Sequence, residues 1–87
     1  MTVRVEFYGI PRARAGVAAI ELEATRFDDA LRILSVRLPE FARHCLEAGR
    51  LRPSFLANLN GRRFLVDLAT PLEDGDSLLI LSADVGG

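Results

Sequence analysis

VAAIELEATRFDDALRILSVRL, Val17–Leu38, changes its hydrophobic period part-way along, and that change decides the fold. From Val17 to Glu23 the chain alternates, with Ala18, Ile20 and Leu22 opposite Glu21 and Glu23, as in a half-buried strand. From Phe27 the apolar residues recur at helical spacing. Phe27, Leu31, Leu34 and Leu38 make a stripe, which Ala30 and Ile33 widen until it can cover one face of a sheet. Thr25 is the expected N-cap. Asp28 and Asp29 fall in the first turn, where the helix dipole favours negative charge, and Pro39 marks the end.

Working outward, Thr2 to Tyr8 also alternates, with Val3, Val5 and Phe7 on one face and Arg4, Glu6 and Tyr8 on the other. Gly9 to Gly16 is bounded by glycines and reads as a loop or hairpin connection carrying Arg12 and Arg14. The first two strands are therefore expected to pair antiparallel. Beyond the helix, Glu40 to Ala48 predicts a short second helix with Phe41 and Cys45 on one side, closed by Gly49. Pro53 to Leu59 predicts a third strand and Arg62 to Leu65 a fourth. Between them Asn60-Gly61 is a strong hairpin signal, because both central positions of a type I′ turn need positive φ. Thr70 to Asp76 is turn-rich, and Ser77 to Leu81 predicts the last strand. Two strands, a helix and three strands imply an α+β roll of the β-grasp type: a mixed sheet of four to five strands crossed by one main helix, with a short second helix.

Eighty-seven residues make one domain near the lower limit for a self-sufficient core, and the 49% hydrophobic content argues against disorder. The expected division is a folded body over residues 1–81 and a flexible tail over 82–87. A formal net charge of -1 argues against nucleic-acid binding by phosphate neutralisation. The lack of a signal-peptide pattern and of a long apolar run points to a soluble, cytoplasmic protein. One cysteine, Cys45, forms no internal disulfide, and no Cys/His cluster suggests zinc. All eleven basic residues are arginines. Arginine-biased codon usage accounts for this, as does the need of an activated acyl group to meet no amine on its own carrier.

The final strand Leu78-Leu79-Ile80-Leu81 leads within a few residues to Gly86-Gly87. A terminal Gly-Gly offers a bare carboxylate on a thin stalk, since glycine lacks the Cβ that blocks a narrow cleft. The uninterrupted apolar run fits a central strand covered on both faces, yet one helix covers only one face. With Leu78 and Ile80 toward the helix, Leu79 and Leu81 point the other way. They form either an exposed docking patch beside the tail or a layer packed under the Arg50–Pro53 loop or against Phe55.

Several segments, in order along the whole chain, resemble the MoaD/ThiS group of ubiquitin-like sulfur carriers, and most of all the small subunit of molybdopterin synthase. They are Phe7-Tyr8-Gly9-Ile10-Pro11-Arg12-Ala13-Arg14-Ala15-Gly16, then Asn58-Leu59-Asn60-Gly61-Arg62, and finally Pro71-Leu72-Glu73-Asp74-Gly75-Asp76 before an apolar strand and Gly86-Gly87. The Glu40–Pro53 insert favours the molybdopterin branch over the thiamine carriers. The resemblance implies that a ubiquitin-activating-like enzyme uses ATP to adenylate the Gly87 carboxylate. A sulfur donor then displaces AMP to leave a thiocarboxylate, and the tail delivers sulfur to the large subunit of molybdopterin synthase or another sulfur-accepting enzyme. On this reading the chain binds no cofactor and is a protein-borne substrate, a non-catalytic subunit of the synthase. Gly87 is the reactive residue, Gly86 gives clearance, and six extended residues reach up to about 20 Å. Val85, Leu79, Leu81, Arg62 and Arg63 are the candidate partner contacts.

Other residues fit an active site poorly. His44 and Cys45 are neighbours on a helix and point roughly 100° apart, so they make a poor base–nucleophile pair. Asp74 and Asp76 offer two carboxylates in a tight turn, well short of the roughly six oxygens calcium needs, and read as turn formers. Two other function classes stand beside the carrier: a ubiquitin-like modifier conjugated to lysines through Gly87, and a plain β-grasp binding module.

Overall fold

The opening alternation becomes β1 (Val3–Phe7), with Val3, Val5 and Phe7 buried and Arg4 exposed. The remaining elements, in chain order, are α1 (Ile10–Ala15), β2 (Ala19–Leu22), α2 (Phe27–Arg37), α3 (Pro39–Cys45), β3 (Leu46–Glu47), β4 (Arg50–Leu51), β5 (Phe55–Leu59), β6 (Arg63–Phe64) and β7 (Ser77–Ser82). The computed structural model describes residues 2–83. Five strands form one sheet in the order β2-β1-β7-β5-β6. β1 and β7 run parallel, and the other neighbours are antiparallel. The last strand therefore lies at the centre, between the first strand and β5. This is the mixed five-stranded β-grasp sheet that the element order implies. Among the described residues no helix is long and apolar enough to cross a membrane.

The core lies on one face of the sheet. Phe27, Ala30, Leu31 and Leu34 of α2, with Phe41 and Cys45 of α3, meet Val3, Val5, Phe7, Leu22, Ala57, Leu59, Leu78 and Ile80. The Phe7 and Phe41 rings meet edge to face, their centroids 5.2 Å apart. The helical stripe read from the sequence is the buried face of α2, with Ile33 and Leu38 half-buried at its margin.

Local signals misled in four places. Gly9–Gly16 is not a simple loop: it holds α1, with Pro11 buried in the first turn and Gly16 closing it at φ 76. Proline's fixed φ suits a first helical turn, and glycine accepts the left-handed cap, so the residues that look like breakers bound a helix instead. Thr25 is not the N-cap of α2. Arg26 holds that position, while the Thr25 N–H donates to Asp29 Oδ2 (3.2 Å) and the Thr25 carbonyl accepts from the Leu72 N–H (3.0 Å). The second helix stops at Cys45, short of Gly49. Leu46–Glu47 turns back on Arg50–Leu51 through Ala48 and Gly49, both at positive φ, so Gly49 serves a hairpin and not a helix cap. The fourth strand shortens to Arg63–Phe64.

The Asn60-Gly61 reading holds: the two residues sit at φ 57 and 69, and the Arg62 N–H donates to the Leu59 carbonyl (3.0 Å). One extra residue, Arg62, separates the turn from the paired Leu59 and Arg63. The Asn60 side chain also clasps the start of β7. Its Nδ2 donates to Asp76 Oδ1 (3.0 Å) and its Oδ1 accepts from the Ser77 N–H (2.8 Å). Asp74 and Asp76 are occupied in the same corner. Asp74 Oδ1 accepts from the Thr2 N–H (2.7 Å) and Asp76 Oδ2 from the Glu73 N–H (2.8 Å). Asn60→Ala removes both side-chain bonds and leaves an ordinary Cβ at positive φ, so urea unfolding should show a loss of about 2–4 kcal/mol. Asn60→Gly keeps the backbone relaxed and should lose only about half as much. Equal losses would show that the clasp carries the whole effect.

Candidate functional site

Cross-strand partners share a face of a sheet, so the register determines what the uncovered face displays. One row runs Glu6–Leu79–Asn58–Phe64 across four strands. The next row, toward the end of β7, pairs Leu81 with Leu56. Continuing the alternation of β1 places Tyr8 beside Leu81, and the Tyr8 N–H donates to the Ile80 carbonyl (3.0 Å). In the other direction lie Arg4, which ion-pairs with Glu6 at 3.3 Å, and its partner Ser77. Polarity thus changes along the strands: charged at the start of β7 and apolar where it ends.

Leu79, Leu81 and Leu56 are half-buried, while Tyr8 is 66% and Phe64 53% exposed. Phe55, and Leu51 of the Arg50–Pro53 stretch, pack on the opposite, helix-covered face, which removes the reading in which the two leucines pack under that loop or against Phe55. Leu79 and Leu81 therefore form the centre of an apolar patch on the open face. Val66, 82% exposed, follows Phe64 past the end of β6, where the Leu65 N–H donates to the Ala57 carbonyl (2.9 Å).

The patch lies at the root of the tail. β7 runs through Ser82, and the Ala83 N–H donates to the Ser54 carbonyl (2.7 Å), so pairing continues past the boundary expected at Leu81. Val85, Gly86 and Gly87 lie outside the described residues. Arg62 and Arg63 are both exposed, but they are not equivalent. Arg63 pairs with Leu59, whose side chain belongs to the helix-side core, so Arg63 is placed off the patch.

Sequence reading missed Tyr8, Leu56 and Phe64. Their signal is the register, which the Asn60-Gly61 turn alone does not give: a two-residue turn sets Phe64 opposite Ala57, whereas the extra Arg62 moves it opposite Asn58, and β7 aligns Leu56 with Leu81.

The body of the chain offers little chemistry of its own. Cys45 is fully buried, and burial pushes its thiol pKa up despite the nearby Arg14 and Arg52, which disfavours the thiolate. His44 Nε2 lies 3.6 Å from Glu40, not from a nucleophile. Among the described residues no group of three or more His, Cys, Asp or Glu side chains is placed to hold a metal. A larger groove, between the start of α2 and the β3–β4 turn, is lined by charges that already have partners. Arg26 bonds Asp28, Arg32 bonds Asp29 (2.6 Å), and Glu47 bonds Arg52 (2.8 Å). Hydrogen bonds from Arg26 and Arg32 hold the carboxyls of the half-buried Asp28 and Asp29 below their ordinary pKa.

No family model and no curated protein matches the sequence. Solved structures do. Small archaeal modifier protein 1 from Methanosarcina acetivorans is 27% identical over 99% of this chain and 96% of its own, with a TM-score of 0.83. The CysO chain type is represented by the BexX/CysO complex of Amycolatopsis orientalis, at 21% identity over 98% of this chain and 99% of that one, TM-score 0.79. The complex of subunits 1 and 2 of the molybdopterin-converting factor from Helicobacter pylori matches at 24% identity over 94% of this chain and 93% of that one, TM-score 0.69. The fold is that of the ubiquitin-like sulfur carriers and modifiers of the MoaD/ThiS group, as the sequence resemblance implies.

Proposed function

We propose that this chain, built on the fold of the ubiquitin-like carriers and modifiers, is a sulfur carrier that acts through the carboxylate of Gly87. The observation that carries the reading is the junction of a central strand, an apolar open face and a glycine-ended tail at one end of the sheet. A carboxylate is a poor acyl donor because its charge repels nucleophiles and oxide leaves badly. Attack of the Gly87 carboxylate on the α-phosphorus of ATP, with loss of pyrophosphate, gives an acyl-adenylate. A sulfide-level sulfur donor then displaces AMP, leaving a thiocarboxylate. The chain itself holds no ATP in this scheme; a ubiquitin-activating-like enzyme binds it. The patch of Leu79, Leu81, Leu56 and Phe64 docks that enzyme, and then the sulfur acceptor. Tyr8 and Arg62 stand at its border, and Val85 of the tail is a further candidate contact.

Pairing of Ala83 shortens the reach. Only residues 84–87 lie beyond it, and four extended residues span at most about 14 Å. A partner's reaction centre must therefore lie within that distance of its docking surface. The molybdopterin-converting factor neighbour, solved with its partner subunit, supports molybdopterin assembly as the destination of the sulfur. The small archaeal modifier neighbours support a second reading, conjugation through Gly87 to lysines of other proteins. A chain without lysine suits that role too, since copies offer one another no side-chain amine.

Incubation with ATP, a sulfide donor and soluble extract of the host should raise the intact mass by the difference between sulfur and oxygen. The gain should require ATP. Ladders of isopeptide-linked protein without that gain would favour the modifier. Neither product would leave a plain binding module.

A further inference from the structure

Among the described residues the open face carries one buried polar side-chain atom that the fold leaves without a partner. Asn58 lies in the middle of the Glu6–Leu79–Asn58–Phe64 row, between a leucine and an exposed phenylalanine. Its Oδ1 is shut off from solvent and accepts no hydrogen bond. This contrasts with Asn60, two residues on, whose amide is used at both ends. Most half-buried amides find a donor, so an orphaned one is a standing cost that calls for a function.

We infer that Asn58 is a specificity-determining residue of the docking face, kept unpaired in the free chain so that it can bond a donor on the adenylating enzyme. The inference rests on the carrier reading above. Three features fit it. The amide is central to the patch, where a contact is most fully desolvated on docking. Turning it toward a partner breaks no bond within the chain. A purely apolar rival surface offers the amide no donor, so only the right complex gains the bond. The expected partner surface is therefore apolar, with a single N–H or O–H donor opposite Asn58.

The test is Asn58→Leu in the full-length chain, read in two ways. Removing a buried orphan should raise the unfolding midpoint by about 4 °C or more. In the ATP- and sulfide-dependent mass-gain assay with host extract, the concentration giving half the maximal rate should rise about tenfold, with the plateau rate unchanged. Asn58→Thr, which keeps a hydroxyl on a strand-compatible side chain, should recover most of the lost affinity. A lower unfolding midpoint for Asn58→Leu would mean that the amide is satisfied within the fold and overturns the inference. So does a raised midpoint with an unchanged concentration dependence. If the wild-type chain gains no mass at all, the carrier reading falls and takes this inference with it. The other two outcomes leave that reading standing.

Discussion

Deleting Gly87 abolishes the ATP-dependent mass gain and turns the chain into an inhibitor of its intact counterpart. The truncated tail still ends in a carboxylate, that of Gly86, so the functional group survives; only its position changes. One residue of extended backbone is about 3.5 Å, and acyl transfer loses roughly a hundredfold for a displacement of about 1 Å. A shift more than three times larger removes the reaction entirely. The docking patch, by contrast, belongs to the folded sheet, with Leu79 and Leu81 on β7 and Leu56 on β5. It does not depend on the last residue. The truncated chain should therefore bind the activating enzyme as well as the intact chain does and slow it in competition. Mixing the two at increasing ratio in the mass-gain assay checks both halves. Normal activity of the truncated chain would move the reactive group away from Gly87, and failure to compete would move the docking surface away from the sheet.

Ile80→Ala should remove a large part of the stability of the domain. Ile80 is fully buried, as is Leu78, and it sits on the central strand facing α2 and α3. A large-to-small change there loses transfer free energy and leaves a cavity, about 2–5 kcal/mol together. Domains of this size carry about 5–15 kcal/mol in all. At roughly 4–8 °C per kcal/mol, the midpoint should fall by at least about 8 °C. Leu79→Ala, one residue earlier and half-buried on the open face, should cost only about 1 kcal/mol. Thermal unfolding of the two variants side by side reads the sheet's two faces directly. Similar losses would show that Leu79 is as fully packed as Ile80 and would remove the open patch.

The sequence made the sheet legible wherever a period was long enough to count. The change of period between Leu22 and Phe27 located the sheet-to-helix transition, and the Asn60-Gly61 turn located a hairpin. α1 escaped because six residues make fewer than two turns, too short for a 3.6-residue period to register. The stretch after Cys45 escaped because glycine at positive φ closes helices and hairpins alike; only the pairing of Leu46 with Leu51 tells them apart. At the site, Leu79 and Leu81 could be read from one strand. Leu56 and Phe64 needed the register between strands, and Asn58 needed the observation that nothing bonds it.

The central place of β7 also sets the order of events when the protein is made. Of the described strands it is made after the others, yet β1 and β5 are not joined in the sheet until it arrives. Leu78 and Ile80 fill the middle of the core, so a nascent chain that lacks them has a gap where its packing should be densest. Folding therefore waits for the long-range pairing of β1 with β7, a slow kind of step. The arrangement ties display to completion: a chain cut short before β7 lacks the strand that joins the two halves of the sheet, and with it the face that carries Leu79 and Leu81.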